Sequence, residues 1–249
     1  MPKMTIIDMV QDILSDMDSD EVNSINDTLE ALQVAQILKT TYYEILNQRD
    51  WDHVNKLFQL TASGDGSKPT HMTIENDIVK VHWIKYNKRS TTDTRDWWSE
   101  VEYKAPTDFV ALLNDRDSSS SDITTVYEDS VPLFIFNERT PTYYTSFDDE
   151  SLIFDAYDSA VETTLQTSKT QCFGAIEPAW SMVDTFTPDL PSKAFPFYLA
   201  ESKSVAFNSL KQFPNAKEEQ RSRRQRYRIS REKRRNEGQT IIYPDYGRK

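Results

Sequence analysis

From Thr5 to Met17 the chain reads TIIDMVQDILSDM, with apolar residues at Ile6, Val10, Ile13, Leu14 and Met17. Intervals of three and four put these on one helical face, and Thr5 with Asp8 forms a capping pair at its start. The same rhythm runs through Val22, Ile25, Leu29, Leu32, Ala35, Leu38, Tyr42 and Ile45, predicting a helix over 20–48. At about 1.5 Å per residue it would extend roughly 40 Å and need a packing partner along its length.

After Trp51 the rhythm shifts towards period two. VNKLFQLTA and HMTIEN flank the turn SGDGSKP and predict a hairpin. DIVKVHWIKYN, WWSEVEYKA, TTVYED, PLFIFNE, TYYTSF and SLIFDAYD are further short strands. Pro106 starts a helical turn in PTDFVALLND, and RDSSSSD is a surface loop open to proteolysis. The stretch SAVETTLQTSKTQCFGAIEPAW is ambiguous between a short helix and a loop. Helical spacing returns over 197–212 with Leu199, Ala206, Leu210 and Phe213 on one face, and Pro214 breaks it. Asn215 then caps a last helix, with Glu218 at the reciprocal position and Gly238 as its stop. The expected fold is α+β. Its N- and C-terminal helices form a bundle with an inserted antiparallel β-sheet or small sandwich. Residues 1–50 are the N-terminal helices, 51–165 the β-rich insert, 166–237 the C-terminal helices of the same bundle, and 238–249 a docking tail.

Composition narrows the function. With 249 residues, 37% apolar and 12% aromatic, the chain has enough to bury a core. Five glycines are few for a nucleotide-binding α/β architecture, and the single cysteine, Cys172, allows no internal disulfide. The acidic, amphipathic N-terminus predicts neither a signal peptide nor a membrane span. The net charge of -11 is unevenly spread. Residues 201–249 hold 14 basic and 6 acidic side chains, the first 200 hold 15 and 34. Such polarity suits head-to-tail or ring assembly, and equally a solvated helix face.

The basic residues concentrate in RSRRQRYRISREKRR, nine Arg or Lys in fifteen positions from Arg221 to Arg235. Tyr227 and Ile229 are its only sizeable apolar residues, so burial in a core cannot hold it. It could contact nucleic-acid phosphates, although no aromatics interleave for stacking and the rest of the chain repels phosphate. It lacks the apolar face of a membrane-surface helix. As an interaction arm it would pair with acidic protein through Arg221, Arg223, Arg224, Arg226, Tyr227, Arg228, Arg231, Arg234 and Arg235. The tail TIIYPDYGRK adds Ile241, Ile242, Tyr243, Tyr246 and Arg248, either docking on a neighbour or folding back.

Catalytic chemistry is sparse. His53, His71 and His82 make no metal-ligand spacing, and Cys172 lacks the context of a nucleophile. SFDDESLIFDAYD gathers Asp148, Asp149, Glu150, Asp155 and Asp158, which could serve acid–base chemistry or a cation but suit a solvated turn better. No nucleophile-elbow, phosphate-loop, dinucleotide or HExxH pattern is present. The chain is expected to be no enzyme and to need no cofactor.

A short acidic helix, a longer one ending in NQRDW, a strand-rich middle with TPTYYTSFDDESLIFDAYDSAVETTL, then PDLPSKAFPFYLAESKSVAFNSLKQFPNAKEEQRSRRQRYR form a recognisable order. It resembles the head-to-tail adaptor proteins of short-tailed bacteriophages, the tail tubular protein A type. The resemblance concerns order and character over most of the chain. It implies a virion protein of the neck or tail, made in the host cytoplasm. It also implies a dodecameric ring between the portal protein and the tail nozzle protein. DNA would pass through the channel during ejection without specific binding. Trp51 would be the helix-end tryptophan, Lys203 would lie in the third helix, and Arg221 to Arg235 in an arm helix reaching the portal. The middle segment is longer and the arm far more basic than in that family, which leaves open which neck layer is meant.

Overall fold

The computed structural model describes residues 3–48, 51–90, 92–148 and 150–237, the last six by backbone alone. Its helices are α1 (Ile6–Asp16), α2 (Leu29–Asn47), α3 (Pro106–Asn114), α4 (Phe195–Leu210) and α5 (Ala216–Glu237). Its first strands are β1 (Asn55–Phe58), β2 (Thr61–Ala62), β3 (His71–Thr73), β4 (Ile78–Asn87) and β5 (Trp98–Tyr103). The others are β6 (Ile123–Glu128), β7 (Val131–Phe136), β8 (Tyr143–Thr145), β9 (Ser151–Phe154) and β10 (Thr170–Ile176). The chain divides into two units, one made of 1–53 with 179–249 and the other of 54–178.

In the first unit, Thr5 and Asp8 close a reciprocal capping box at the start of α1. Helix α2 begins only at Leu29, capped by the Thr28 hydroxyl, so the 20–48 helix is shorter than its apolar spacing suggests. Val22 and Ile25 are buried as expected, but from a turn. The Asp27 carboxylate accepts from the N–H groups of Asn23 and Ser24 there, and Asp184 accepts from Ile25 at 2.9 Å. Trp51 is buried and its indole donates to the Ile45 carbonyl at 3.1 Å, capping the end of α2. Tyr42, Trp180, Phe186, Phe195 and Tyr198 form a contiguous aromatic cluster. The Tyr198 hydroxyl donates to the Leu38 carbonyl at 2.9 Å, tying α4 to α2.

The second unit is built on a curled eight-stranded sheet in the order β1-β10-β4-β5-β8-β9-β3-β2. Pairing is antiparallel except between β5 and β8. The first and last strands are separated in sequence by only Gln59 and Leu60. At this joint the N–H groups of Leu60 and Ala62 donate to the hydroxyls of Thr170 and Thr167, both at 3.0 Å. The concave side is filled by Phe58, Leu60, Met72, Ile84, Tyr86, Val101, Tyr144, Phe154 and Cys172, with Phe109 and Leu113 of α3 and the β6–β7 hairpin packed against them.

Terminal helices forming a bundle around a small inserted sheet are therefore not the architecture. The protein is a mixed α/β structure, only 34% helical, and its largest element is this sheet. The misreading has a local cause in TQCFGAI, which forms β10 between β1 and β4. Register shifts between Phe173 and Gly174 and between Ala175 and Ile176 break the period-two signal there. Gly174 is required, because a Cβ would lie 2.4 Å from the Lys80 carbonyl oxygen.

Candidate interaction surface

Helix α4 follows the proline-rich segment and buries Phe195, Phe197, Tyr198, Leu199, Ala200 and Ala206. Lys203 is buried on the same helix. Its ammonium lies 2.8 Å from Asp12 and 2.5 Å from Asp16 of α1. Burial would push its pKa down, but the hydrogen bonds it donates to the two carboxylates outweigh this and hold it above the usual lysine range. Lys203 thus fastens α4 to α1 within this unit.

Helix α5 follows a turn at which Gln212 adopts φ 52°. The Glu218 N–H donates to the Asn215 side chain at 3.3 Å, one half of the reciprocal cap expected from the sequence, while the Glu218 carboxylate accepts from Arg221. The helix is not held by apolar burial, yet it does pack. Glu218 and Ser222 are buried and Gln225 and Ile229 half-buried, a stripe at intervals of four, three and four. The Ser222 hydroxyl donates to the Glu201 carboxylate of α4. The small Ser222 side chain allows the two helices to approach, and its hydrogen bond stands where a larger hydrophobic contact would otherwise be.

The expected arginines separate by face. Arg221, Arg224, Arg228 and Arg231 recur at intervals of three, four and three, forming one exposed stripe about 15 Å long. Arg221 lies 3.5 Å from Glu218, and Arg223, on another face, pairs with Glu219. Among the described residues, no acid lies within ion-pair distance of Arg224, Arg226, Arg228 or Arg231. Tyr227 stands beside the stripe, 69% exposed. The backbone of Arg234 and Arg235 continues α5, and their side chains lie outside the described residues. Ile241, Ile242, Tyr243, Tyr246 and Arg248 lie outside them altogether.

The acidic segment of 148–158 does not converge on one point. Asp148 accepts from the N–H groups of Glu150 and Ser151, bonds that hold its pKa below the usual carboxylate range. Asp155 is buried against Arg116 at 3.0 Å and also accepts from Thr142 and Tyr143. Asp158 accepts from Ala160 in the next turn. Asp149 lies outside the described residues. His53 bonds the Asp189 carbonyl, His71 the Glu128 carboxylate and His82 the Asn55 side chain. Burial pushes the Cys172 thiol up to about 12. No group of His, Cys, Asp and Glu among the described residues is arranged to hold a metal ion. No helix among them is long and apolar enough to cross a membrane.

Sequence reasoning missed the polar packing stripe of α5 and the Arg116–Asp155 pair. The first was legible only as Ser222 and Gln225 interrupting the arginines, while the second joins residues too distant in sequence to associate. No protein-family model matches the chain, and no curated protein matches it.

Proposed function

We propose that this chain is a structural virion protein, one subunit of a head-to-tail connector ring, working by assembly rather than catalysis. Its partners in this reading are further copies of itself, a portal protein and a tail nozzle protein, with genomic DNA crossing the channel unbound. The observation that carries the reading is the arginine stripe of α5. The helix is fixed on its inner side by Ser222 and Glu201, yet Arg224, Arg228 and Arg231 face solvent without described carboxylates to meet them. Guanidinium groups recognise carboxylates bidentately, so an acidic protein surface is the natural complement. Each exposed pair is worth only about 0–1 kcal/mol, and repetition around a ring makes the sum sufficient. The order and character of the segments, which resemble the phage adaptors, support the same reading.

The test mixes the full chain with the portal protein of the same virion and follows the product by light scattering and particle imaging. A ring-sized complex that dissociates as salt rises is expected, and the Arg224→Glu, Arg228→Glu, Arg231→Glu variant should not form it. Absence of any complex at low salt would reject the proposal.

A continuous cationic stripe on one helix also favours a second reading, binding to duplex DNA through phosphates. That reading requires affinity that falls steeply with salt and disappears in the same variant. The excess of 34 acidic over 15 basic residues in the first 200 works against it.

A further inference from the structure

The β4–β5 connection is held tightly by its own polar groups. The Asn87 side-chain carbonyl accepts from the N–H groups of Arg89 and Trp97, both at 3.1 Å, and its amide donates to Asp96 at 3.0 Å. The Lys88 N–H donates to the Trp97 carbonyl at 2.8 Å. Arg89 donates from Nε to the Asp93 carbonyl at 2.9 Å and from Nη1 to Asp96 at 3.3 Å. This bracing carries Trp97, which is 73% exposed. Keeping so large a ring in water forgoes the stabilisation that its burial would bring.

Trp97 and Trp98 flank an open recess of about 680 Å³ together with Asp93, Thr94, Arg95 and Asp96 of the same loop. An aromatic strip continues from it on the outer side of the sheet. Trp98 lies opposite Asn87 and Glu100 opposite Lys85, so Trp98 shares a face with Lys85 and Trp83. The Lys85 ammonium lies 4.9 Å above the Trp83 ring, and Trp83 stacks on Phe173 of β10 at 5.9 Å. Leu57 of β1, opposite Phe173, is 70% exposed.

We infer that the Trp97–Trp98 recess and the aromatic strip beside it bind a neutral polysaccharide. A sugar ring has one face of C–H groups, which stacks on an indole, and a rim of hydroxyls that both donate and accept. The recess supplies both complements. Asp93 Oδ1 and Asp96 Oδ2 are acceptors, and the Arg95 guanidinium and Thr94 hydroxyl are donors, none engaged by another described residue. Bonds from Asn87 and then Arg89 hold Asp96 below the usual carboxylate range, so it remains an acceptor in mild acid. A nucleic acid would use the same rings but needs a cationic groove. Here two carboxylates face one guanidinium, in a unit with 11 basic and 21 acidic residues. The inference is independent of the assembly reading.

Affinity electrophoresis of the full chain through native gels cast with dextran, galactomannan or a neutral bacterial O-polysaccharide tests it, with a single-stranded oligonucleotide in parallel. Retardation by at least one polysaccharide is expected. Trp97→Ala should weaken it about tenfold or more without altering thermal melting, because the ring is exposed. Trp97→Phe should retain part of the binding. Trp83→Ala should weaken binding of the long polymer while leaving binding of a short oligomer of the same sugar unchanged. Passage through all three gels without retardation, retardation indifferent to Trp97→Ala, or binding of the oligonucleotide alone would each overturn the inference.

Discussion

In the unit of residues 54–178, Arg116 and Asp155 meet at 3.0 Å with side chains only 8% and 6% exposed, and Arg116 also donates to the carbonyls of Phe134 and Asp155. In the unit of residues 1–53 and 179–249, the α5 arginines have the same guanidinium and, from Arg224 to Arg231, no described acid to pair with. The sheet unit pairs several of its charges internally. Glu162 is half-buried, with the Tyr86 hydroxyl donating to it and Lys169 at 2.9 Å, and Glu128 is shared by Lys68 and His71. The helical unit uses Lys203 internally and leaves a row of cations outside. Charge buried with full hydrogen bonding fixes a fold, whereas exposed charge adds little to stability and remains free for a partner.

Arg116→Ala should do the most damage. Leaving Asp155 without its cation is expected to cost about 3–5 kcal/mol, read from urea unfolding. A cost below about 1 kcal/mol would erase the contrast between the two kinds of arginine. Lys203→Met should cost less, about 1–2 kcal/mol, because Asp12 and Asp16 are partly exposed and can be rehydrated.

A third expectation concerns pH. Burial lowers the pKa of His71 from the ordinary 6.5, and it outweighs Glu128 at 3.0 Å; Lys68 also lowers it, and Asp148 raises it weakly. The unfolded chain therefore takes up this proton first. Stability is full above about pH 6.5 and falls as the pH drops from there towards the folded-state pKa. Burial raises the pKa of Glu128, but bonds from Lys68 and His71 win and hold it below 4.5, so its contribution is lost in a lower window. Denaturation midpoints measured across both windows should show two declines, and His71→Gln should remove the upper one. The smallest effect on stability belongs to the Arg224→Glu, Arg228→Glu, Arg231→Glu variant. Its melting temperature should stay within about 2 °C of the parent while partner binding is lost.

Where a segment's structure is decided by its own residues, the sequence was a sufficient guide. Thr5 and Asp8 announce α1, Pro106 starts α3, and Asn215 caps α5. Where distant residues decide, it was not. Val22 and Ile25 have helical spacing, but Asp184, far along the chain, helps hold them in a turn. The β10 strand is recognisable only once β1 and β4 are known to flank it. In the candidate surface, the arginines were plain from composition. Which of them face outward depended on Ser222 finding Glu201, a contact that apolar periodicity does not register.

The position of β10 also governs the order in which the protein can be made. It lies between β1 and β4 yet leaves the ribosome more than a hundred residues after β1, so the sheet's first edge must wait, unpaired, until that stretch has been made. The α1–α2 pair waits longer still for α4. Nascent chains stalled before residue 170 should therefore leave β1 protease-sensitive, while the strands running from β4 to β2 in the sheet, complete by Phe154, can already pair.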